Sequence, residues 1–252
     1  MPHSLVTCAR LLVAIVLIAG AGAGVARAAP APGCAVPHEL IEDDPTLPKL
    51  GARLRSHQPI TIVAIGGAST AGRAAGNDEA NAYPHWLEAA LRRRHPGAPI
   101  TVINRGVAGE TTAAMVERFA ADVFAARPTL VIWETGTVDA VHGNDIENFT
   151  AALEAGLAAL HRQRIEAMLV DMQYNPGTAS VIDFAPYLGA MHRTADLDDT
   201  YLFRRFDIMK YWSDTGAFDF VDVPKGKRAA LAREVYKCLG ESLADAIDFA
   251  TR

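Results

Sequence analysis

Residues 60–72 read ITIVAIGGASTAG, and this stretch decides the fold class. Residues 60–65 are apolar and mostly β-branched, which is typical of a strand that is buried on both faces. Residues 66–72 follow the strand directly and consist of glycine, alanine, serine and threonine. In a parallel sheet, ligands bind beyond the carboxyl ends of the strands. The stretch therefore predicts a buried first strand that leads into a functional loop.

Short apolar stretches alternate with amphipathic stretches along the rest of the chain. Strands are predicted at residues 60–65, 100–104, 130–134, 167–172 and 201–206. Helices are predicted at residues 84–94, 111–126, 146–162, 186–196 and 228–249. This alternation is typical of a parallel sheet that is covered by helices on both faces. We expect one α/β domain, a three-layer α/β/α sandwich with about five central strands.

The N-terminus has the features of a cleaved secretory signal. Arg10 precedes an apolar run over residues 11–25, and the small residues Ala26 and Ala28 stand where a signal peptidase would cut. The run is shorter than the stretch of about 20 residues that spans a bilayer. We expect cleavage after Ala28, a periplasmic or secreted protein, and no stable membrane anchor. The predicted organisation is a signal peptide at 1–28, a lead-in segment at 29–56 and the main domain at 57–252.

Charge and motif content exclude several function classes. The chain has 24 Lys+Arg and 29 Asp+Glu, and removal of residues 1–28 takes away two arginines, which changes the formal charge from −5 to −7. A protein with this balance does not attract nucleic acid or an anionic membrane. The sequence has no glycine-rich nucleotide motif and no histidines or cysteines at metal-ligand spacing. We expect no cofactor and no metal.

Three segments resemble the sequence blocks of the SGNH, or GDSL-type, hydrolases. Residues 66–72 are similar to the GDSxTxG block, with Gly66, Thr70 and Gly72 in register. NRGVAGETT at 104–112 and WETGTVDA at 133–140 are similar to the second and third blocks. The similarity covers nearly the whole chain after residue 28. It implies an SGNH-hydrolase fold, which is flavodoxin-like, with its site at the carboxyl ends of the first three strands.

The resemblance also identifies the catalytic positions, and most of them hold an unsuitable residue. The nucleophilic serine of the family falls on Ala68, and Ser69 takes the variable position after it. Val138 replaces the asparagine of the oxyanion hole, whereas Gly109 retains the backbone donor and Asp139 matches its block. Alanine has no hydroxyl to deprotonate. Valine cannot donate a hydrogen bond, and the loss of one oxyanion donor costs about 100- to 1000-fold in turnover.

The base of the family, a histidine near the start of the C-terminal helix, is also missing. Residues 218–240 read FDFVDVPKGKRAALAREVYKCLG and contain no histidine. The last histidine of the chain is His192, which 60 residues follow. Alignment with the closing helix of the family places Lys227 and Ala230 at the acid and base positions.

The leading hypothesis is therefore an exported pseudo-hydrolase that binds an acylated glycan or a cell-envelope partner through the cleft that holds the catalytic site in the family. The alternative is an active esterase or acyltransferase with a rebuilt site, in which Ser69 is the nucleophile and His142 the base. A surface histidine without function is the competing interpretation of His142. A third hypothesis is a purely structural envelope component.

The cysteines predict a disulfide. Cys8 lies in the predicted signal, so export leaves Cys34 and Cys238 in an oxidising compartment. Their bond would join the N-terminal segment to the C-terminal helix. For a loop of about 200 residues, the chain-entropy model gives about 5 kcal/mol of stabilisation. Two unrelated thiols are the alternative.

Overall fold

The computed structural model of the protein describes Met1 and residues 34–252. The predicted signal peptide and its cleavage site after Ala28 therefore lie outside the described residues. The described part of the predicted lead-in segment begins at Cys34 and includes a helix, α1, at Pro48–Arg55. Leu50 and Leu54 of this helix are buried in the core. Residues 34–56 are thus packed on the domain.

Five parallel strands form one sheet in the order β2-β1-β3-β4-β5. They are β1 Ile60–Gly66, β2 Ile100–Gly106, β3 Leu130–Glu134, β4 Glu166–Val170 and β5 Tyr201–Phe203. All four strand pairs are parallel. The central parallel sheet predicted from the sequence is confirmed.

Two hydrophobic cores cover the two faces of the sheet. Alternate side chains of β1 supply them: Ile60 and Ile62 pack into one core, and Val63 and Ile65 pack into the other. Strand β3 alternates in the same way. Because both faces are covered, the strands read as continuous apolar runs rather than as alternating ones.

Helices form the two outer layers. The helices on the first face are α1, α2 Tyr83–Arg94, α9 Arg205–Asp214 and α10 Arg228–Ala250. The helices on the second face are α3 Thr112–Glu117, α4 Phe119–Asp122, α5 Thr137–His142, α6 Ile146–Arg162 and α8 Ala185–Asp198. A short helix, α7 Pro176–Ala179, follows β4. The structure is the predicted α/β/α sandwich.

Three predicted elements end earlier in the structure than the sequence predicts: the strand expected at 167–172 ends at Val170, and the two others end near an arginine. The helix expected at 111–126 breaks at Arg118, whose guanidinium donates to Arg105 O at 2.8 Å and to Glu110 at 2.7 Å. The strand expected at 201–206 ends at Phe203, because Arg205 begins α9. In both places a buried or half-buried arginine makes distant contacts that a local sequence pattern does not encode.

The predicted disulfide is confirmed between Cys34 and Cys238, which are 204 residues apart in sequence. Both cysteines are buried in the first-face core. The bond fastens the start of the described chain to α10. Within residues 34–252, no helix combines the length and apolarity that crossing a membrane requires.

Candidate functional site

Three loops meet at the carboxyl edge of the sheet. They comprise residues 67–72 after β1, 107–111 after β2 and 135–136 after β3. Strand β1 lies between β2 and β3, so its loop is the central one. Asn104 Nδ2 donates to Thr70 O at 2.7 Å and joins the first two loops. The topology therefore brings together the three segments that the sequence predicts as the site.

Two glycines allow these loops to pack against each other. A Cβ atom at Gly66 would collide with Thr70 Oγ1 and with the side chain of Glu134. A Cβ atom at Gly106 would collide with the backbone of Ala71. Glycine is required at both positions because the neighbouring groups are backbone or buried polar atoms.

Ala68 and Ser69 have opposite environments. Ala68 is exposed at the loop, whereas Ser69 is 4% exposed. Ser69 Oγ donates to Glu134 Oε2 at 2.9 Å and accepts from Arg205 Nη1 at 2.8 Å. The exposed position thus carries only a methyl group, and the adjacent hydroxyl is held inside the protein.

Glu134, the last residue of β3, is the centre of the buried polar cluster under this loop. Its Oε2 accepts from Gly67 N, Ser69 Oγ, Thr70 N and Thr70 Oγ1 at 2.6–3.3 Å. Its Oε1 accepts from Arg205 Nη2 at 3.1 Å. Burial opposes ionisation, but the charge of Arg205 and the hydroxyl donors outweigh it and lower the pKa of Glu134. The cluster is therefore a buried ion pair in which both carboxylate oxygens of Glu134 accept hydrogen bonds.

Tyr83 extends the cluster towards α2. Its hydroxyl lies 3.0 Å from Thr70 Oγ1. Burial, reinforced by the nearby Glu134 carboxylate, raises the pKa of Tyr83. Tyr83 therefore stays neutral and supports Thr70 from beneath.

Asp171 is a second buried carboxyl at this edge, just after β4. Its Oδ1 accepts from Phe206 N at 2.8 Å, and its Oδ2 has no hydrogen-bond partner in the described part of the chain. Burial raises the pKa of Asp171 to about 7. The Nε of Arg205 is also without a partner among the described residues.

Gly109 and Val138 occupy the two oxyanion positions that the resemblance identifies. Gly109 is exposed in the left-handed conformation at φ +86°, and a Cβ atom there would meet no heavy atom within 4 Å. Its N–H makes no backbone hydrogen bond among the described residues. Val138 is half-buried on α5 and offers no donor from its side chain.

Asp139 is built into the scaffold. Its carboxylate is 4% exposed and accepts from Thr112 N at 2.9 Å, Thr112 Oγ1 at 2.8 Å and Asn144 Nδ2 at 3.1 Å. These bonds tie α5 to the start of α3. Among the described residues, the Asp139 carboxylate makes no hydrogen bond to His142.

His142 is the last residue of α5 and is exposed. Within residues 34–252, its ring makes no hydrogen bond or ion pair, and the bonds of Ser69 go to Glu134 and Arg205. Lys227 and Ala230, at the aligned acid and base positions, are also exposed. No group of three or more metal-ligating side chains is found in the same part of the chain.

The sequence profile of the Non-GDSL lipase-like family matches residues 33–252. The chain belongs to this family. No protein with a curated description matches the chain in sequence.

Solved structures similar to this Non-GDSL lipase-like protein include proteins described as members of the GDSL or SGNH families. A protein of Desulfitobacterium hafniense DCB-2 assigned to the lipolytic G-D-S-L family is 21% identical, with 74% of this chain and 99% of that chain covered and a TM-score of 0.57. AlinE4, an SGNH-hydrolase family esterase, is 27% identical, with 75% and 97% covered and a TM-score of 0.53.

A third similar structure is CEX, a two-domain esterase active on acetylated mannans. It is 18% identical and has a TM-score of 0.63. The alignment covers 82% of this chain and 55% of CEX. This chain therefore spans about half of that enzyme. Together the three likenesses show the SGNH-hydrolase α/β/α fold.

The Glu134–Arg205 pair of this Non-GDSL lipase-like protein was not predicted from the sequence. Glu134 ends the otherwise apolar strand LVIWE, and a charge in that position is the one local signal that pointed to it. The sequence pattern predicts Arg205 within a strand at residues 201–206, whereas it begins α9. Their contact spans 71 residues, so no spacing rule joins them.

Proposed function

We propose that this protein is an exported, non-hydrolytic member of the Non-GDSL lipase-like family that binds an acylated glycan at the carboxyl edge of its sheet. The observation that carries the proposal is the exposed methyl group of Ala68. Covalent ester hydrolysis needs a hydroxyl or thiol at that place, and alanine provides neither. Binding needs only a shaped surface with a few polar donors.

The polar groups around Ala68 support the same conclusion. The Ser69 hydroxyl bonds to both Glu134 and Arg205, so a Ser69 side chain that turned out towards the loop surface would give up two charge-assisted hydrogen bonds. The exposed His142 makes no polar contact with Ser69. A nucleophile requires a base within hydrogen-bond reach, and the acceptor that Ser69 does reach is the Glu134 carboxylate, whose lowered pKa makes it a weak base.

The Gly109 N–H, which makes no hydrogen bond among residues 34–252, and the open space around Gly109 support ligand binding at this edge. An unpaired backbone donor in an open site suits a carbonyl oxygen such as that of an acyl group. CEX, which shares the fold, acts on acetylated mannans. We therefore choose an acetylated glycan as the first ligand to test.

Binding is tested by calorimetry with acetylated manno-oligosaccharides and their deacetylated counterparts. We expect heat of binding with the acetylated compounds only. Ala68→Arg should abolish it by filling the loop surface. Ala158→Arg, on the exposed face of α6, is the matched control and should bind as the unaltered protein does. Equal binding by both variants would exclude the carboxyl edge as the site.

Catalysis is tested with short-chain aryl esters and a fluorophosphonate probe. We expect no turnover above a heat-denatured control and no labelling. Stoichiometric labelling that is abolished in Ser69→Ala would overturn the proposal in favour of an active esterase that uses Ser69. A second variant, His142→Ala, would then show whether His142 is its base.

Export is tested on protein recovered from the producing cell. We expect the mature chain to start after Ala28 and Cys34 and Cys238 to titrate as no free thiols. Disulfides persist in exported proteins and are rare in reducing compartments. Two reactive thiols in the freshly isolated protein would contradict export.

A further inference from the structure

A second charged site lies at the amino edge of the sheet, opposite the three loops. A cavity of about 160 Å³ is lined there by Lys49, Arg53, Thr61, Arg127, Thr129 and Arg164. Four of these residues are cations, and none of the lining residues is an acid. This is a local reversal of charge in a chain whose formal net charge is −5.

Two of the cations occupy backbone positions that disfavour them. Arg127 has φ +47° and Arg164 has φ +57°, just before β3 and β4 respectively. The left-handed conformation costs an L-residue about 1–2 kcal/mol, which glycine avoids. Both positions close the C-terminus of a helix, where the left-handed residue is usually glycine or asparagine rather than arginine. Two adjacent strands are thus entered through a strained arginine, and both arginines line the same cavity.

Within residues 34–252, the four cationic side chains of this cavity form no ion pair with an acidic side chain. Lys49 Nζ donates to Arg164 O at 2.5 Å, and Arg53 Nη1 donates to Pro59 O at 2.8 Å. Among the described residues, the guanidinium groups of Arg127 and Arg164 have no hydrogen-bond or ion-pair partner. The carboxylate of Glu166 accepts instead from Lys49 N and Leu50 N at the start of α1.

We propose that this cavity binds a phosphate-type oxyanion, either free or carried on a small molecule. A guanidinium presents parallel N–H donors that match phosphate oxygens, and the lysine adds a compact positive charge. The hydroxyls of Thr61 and Thr129 supply further donors of the right kind. A dianion gains more from four cations than a carboxylate does, because the attraction scales with charge.

The experiment compares the thermal stability of the whole chain in inorganic phosphate, in glycerol 1-phosphate and in galacturonate, at constant ionic strength. We expect both phosphates to raise the melting temperature saturably and galacturonate to have little effect. The rise should shrink as NaCl is added, since the cations are exposed. A response to glycerol 1-phosphate but not to free phosphate would identify a phosphomonoester as the ligand.

The test variant is Arg127→Gly/Arg164→Gly, which removes two cations and also removes the strain. We expect it to fold and to bind phosphate about tenfold or more weakly. The control variant, Arg193→Gln/Lys225→Gln, removes two exposed cations outside the cavity and should respond as the unaltered protein does. The same response to phosphate in all three proteins, or an equal response to galacturonate, would overturn the proposal.

Discussion

The two edges of the sheet handle charge in opposite ways. At the carboxyl edge, Glu134 and Arg205 are 3% and 1% exposed and form a closed pair that Ser69 completes. At the amino edge, Arg127 and Arg164 are exposed, strained and unpaired within the described residues. Buried charges need partners inside the protein, whereas exposed ones remain available for partners outside it. The carboxyl edge, where the family resemblance places the chemistry, therefore holds its strongest polar groups for its own stability.

The first prediction breaks the closed pair and has the largest expected effect. Glu134→Gln keeps the shape of the side chain but leaves the buried Arg205 without its counter-charge. We expect a loss of about 3–5 kcal/mol in the free energy of unfolding, measured by urea denaturation. Arg93→Gln, which opens the exposed pair between Arg93 and Glu241, should cost less than about 1 kcal/mol. Equal losses would show that the cluster is not a closed, buried pair.

The second prediction concerns Asp171, a buried carboxyl of the carboxyl edge that, unlike Glu134 and Asp139, has one oxygen without a hydrogen-bond partner in the described part of the chain. Its pKa is about 7 in the folded protein against an ordinary value of 3.8. The folded state therefore binds the proton more tightly, and this group makes stability fall between about pH 4 and pH 7. At about 1.4 kcal/mol per pKa unit, the full effect is at most about 4 kcal/mol.

Asp171→Asn removes that dependence because the amide does not ionise. We expect the variant to be more stable than the unaltered protein at pH 8 and equally stable near pH 4, by urea denaturation at both values. A difference that does not change with pH would mean that folding does not raise the pKa of Asp171, and the pH dependence expected at the carboxyl edge would be absent.

The third prediction sharpens the comparison at the amino edge. Arg164→Gly relieves a left-handed conformation, which stabilises the folded state, but glycine also makes the unfolded chain more flexible, which offsets part of the gain. We expect a net rise of about 0.5 kcal/mol in the free energy of unfolding. Arg193→Gly, the same change inside α8, should lower it by about 1 kcal/mol. A loss at both positions would show that Arg164 makes a structural contribution that its exposure conceals.

The fourth prediction has the smallest expected effect, which is none. Ala68→Ser with Val138→Asn restores a hydroxyl and an oxyanion donor but no base, so ester turnover should stay at the level of the control. Addition of Ala230→His supplies an imidazole at the aligned position and should give the first measurable activity. Activity from Ala68→Ser alone would reveal a base that the described contacts do not include.

The sequence predicted those parts of the fold that local chemistry determines. Helix α6 begins and ends where expected, because Asp145 caps its first turn and its apolar face is regular. The strands were found from their β-branched runs. The disulfide was predicted because a cleaved signal that carries Cys8 would leave one pair of cysteines.

The sequence did not predict the parts that depend on distant contacts. The break at Arg118 and the end of β5 are set by arginines that bond to other segments. At the site, the family blocks identified Ala68, Gly109 and Val138 as positions. They did not indicate that the neighbouring Ser69 is enclosed by Glu134 and Arg205. Any two of these three residues are at least 65 positions apart in sequence, so no local pattern connects them.

The bond between Cys34 and Cys238 also sets an order of events during biosynthesis. A ribosome adds about 5–20 residues per second, so Cys34 emerges about 10–40 s before its partner, which lies 204 positions later. In the proposed exported form, which lacks Cys8, no other cysteine of the chain can capture it in that interval. The first cysteine to reach the oxidising compartment therefore waits as a free thiol until nearly the whole domain has arrived, and the covalent link closes around a chain that is almost complete.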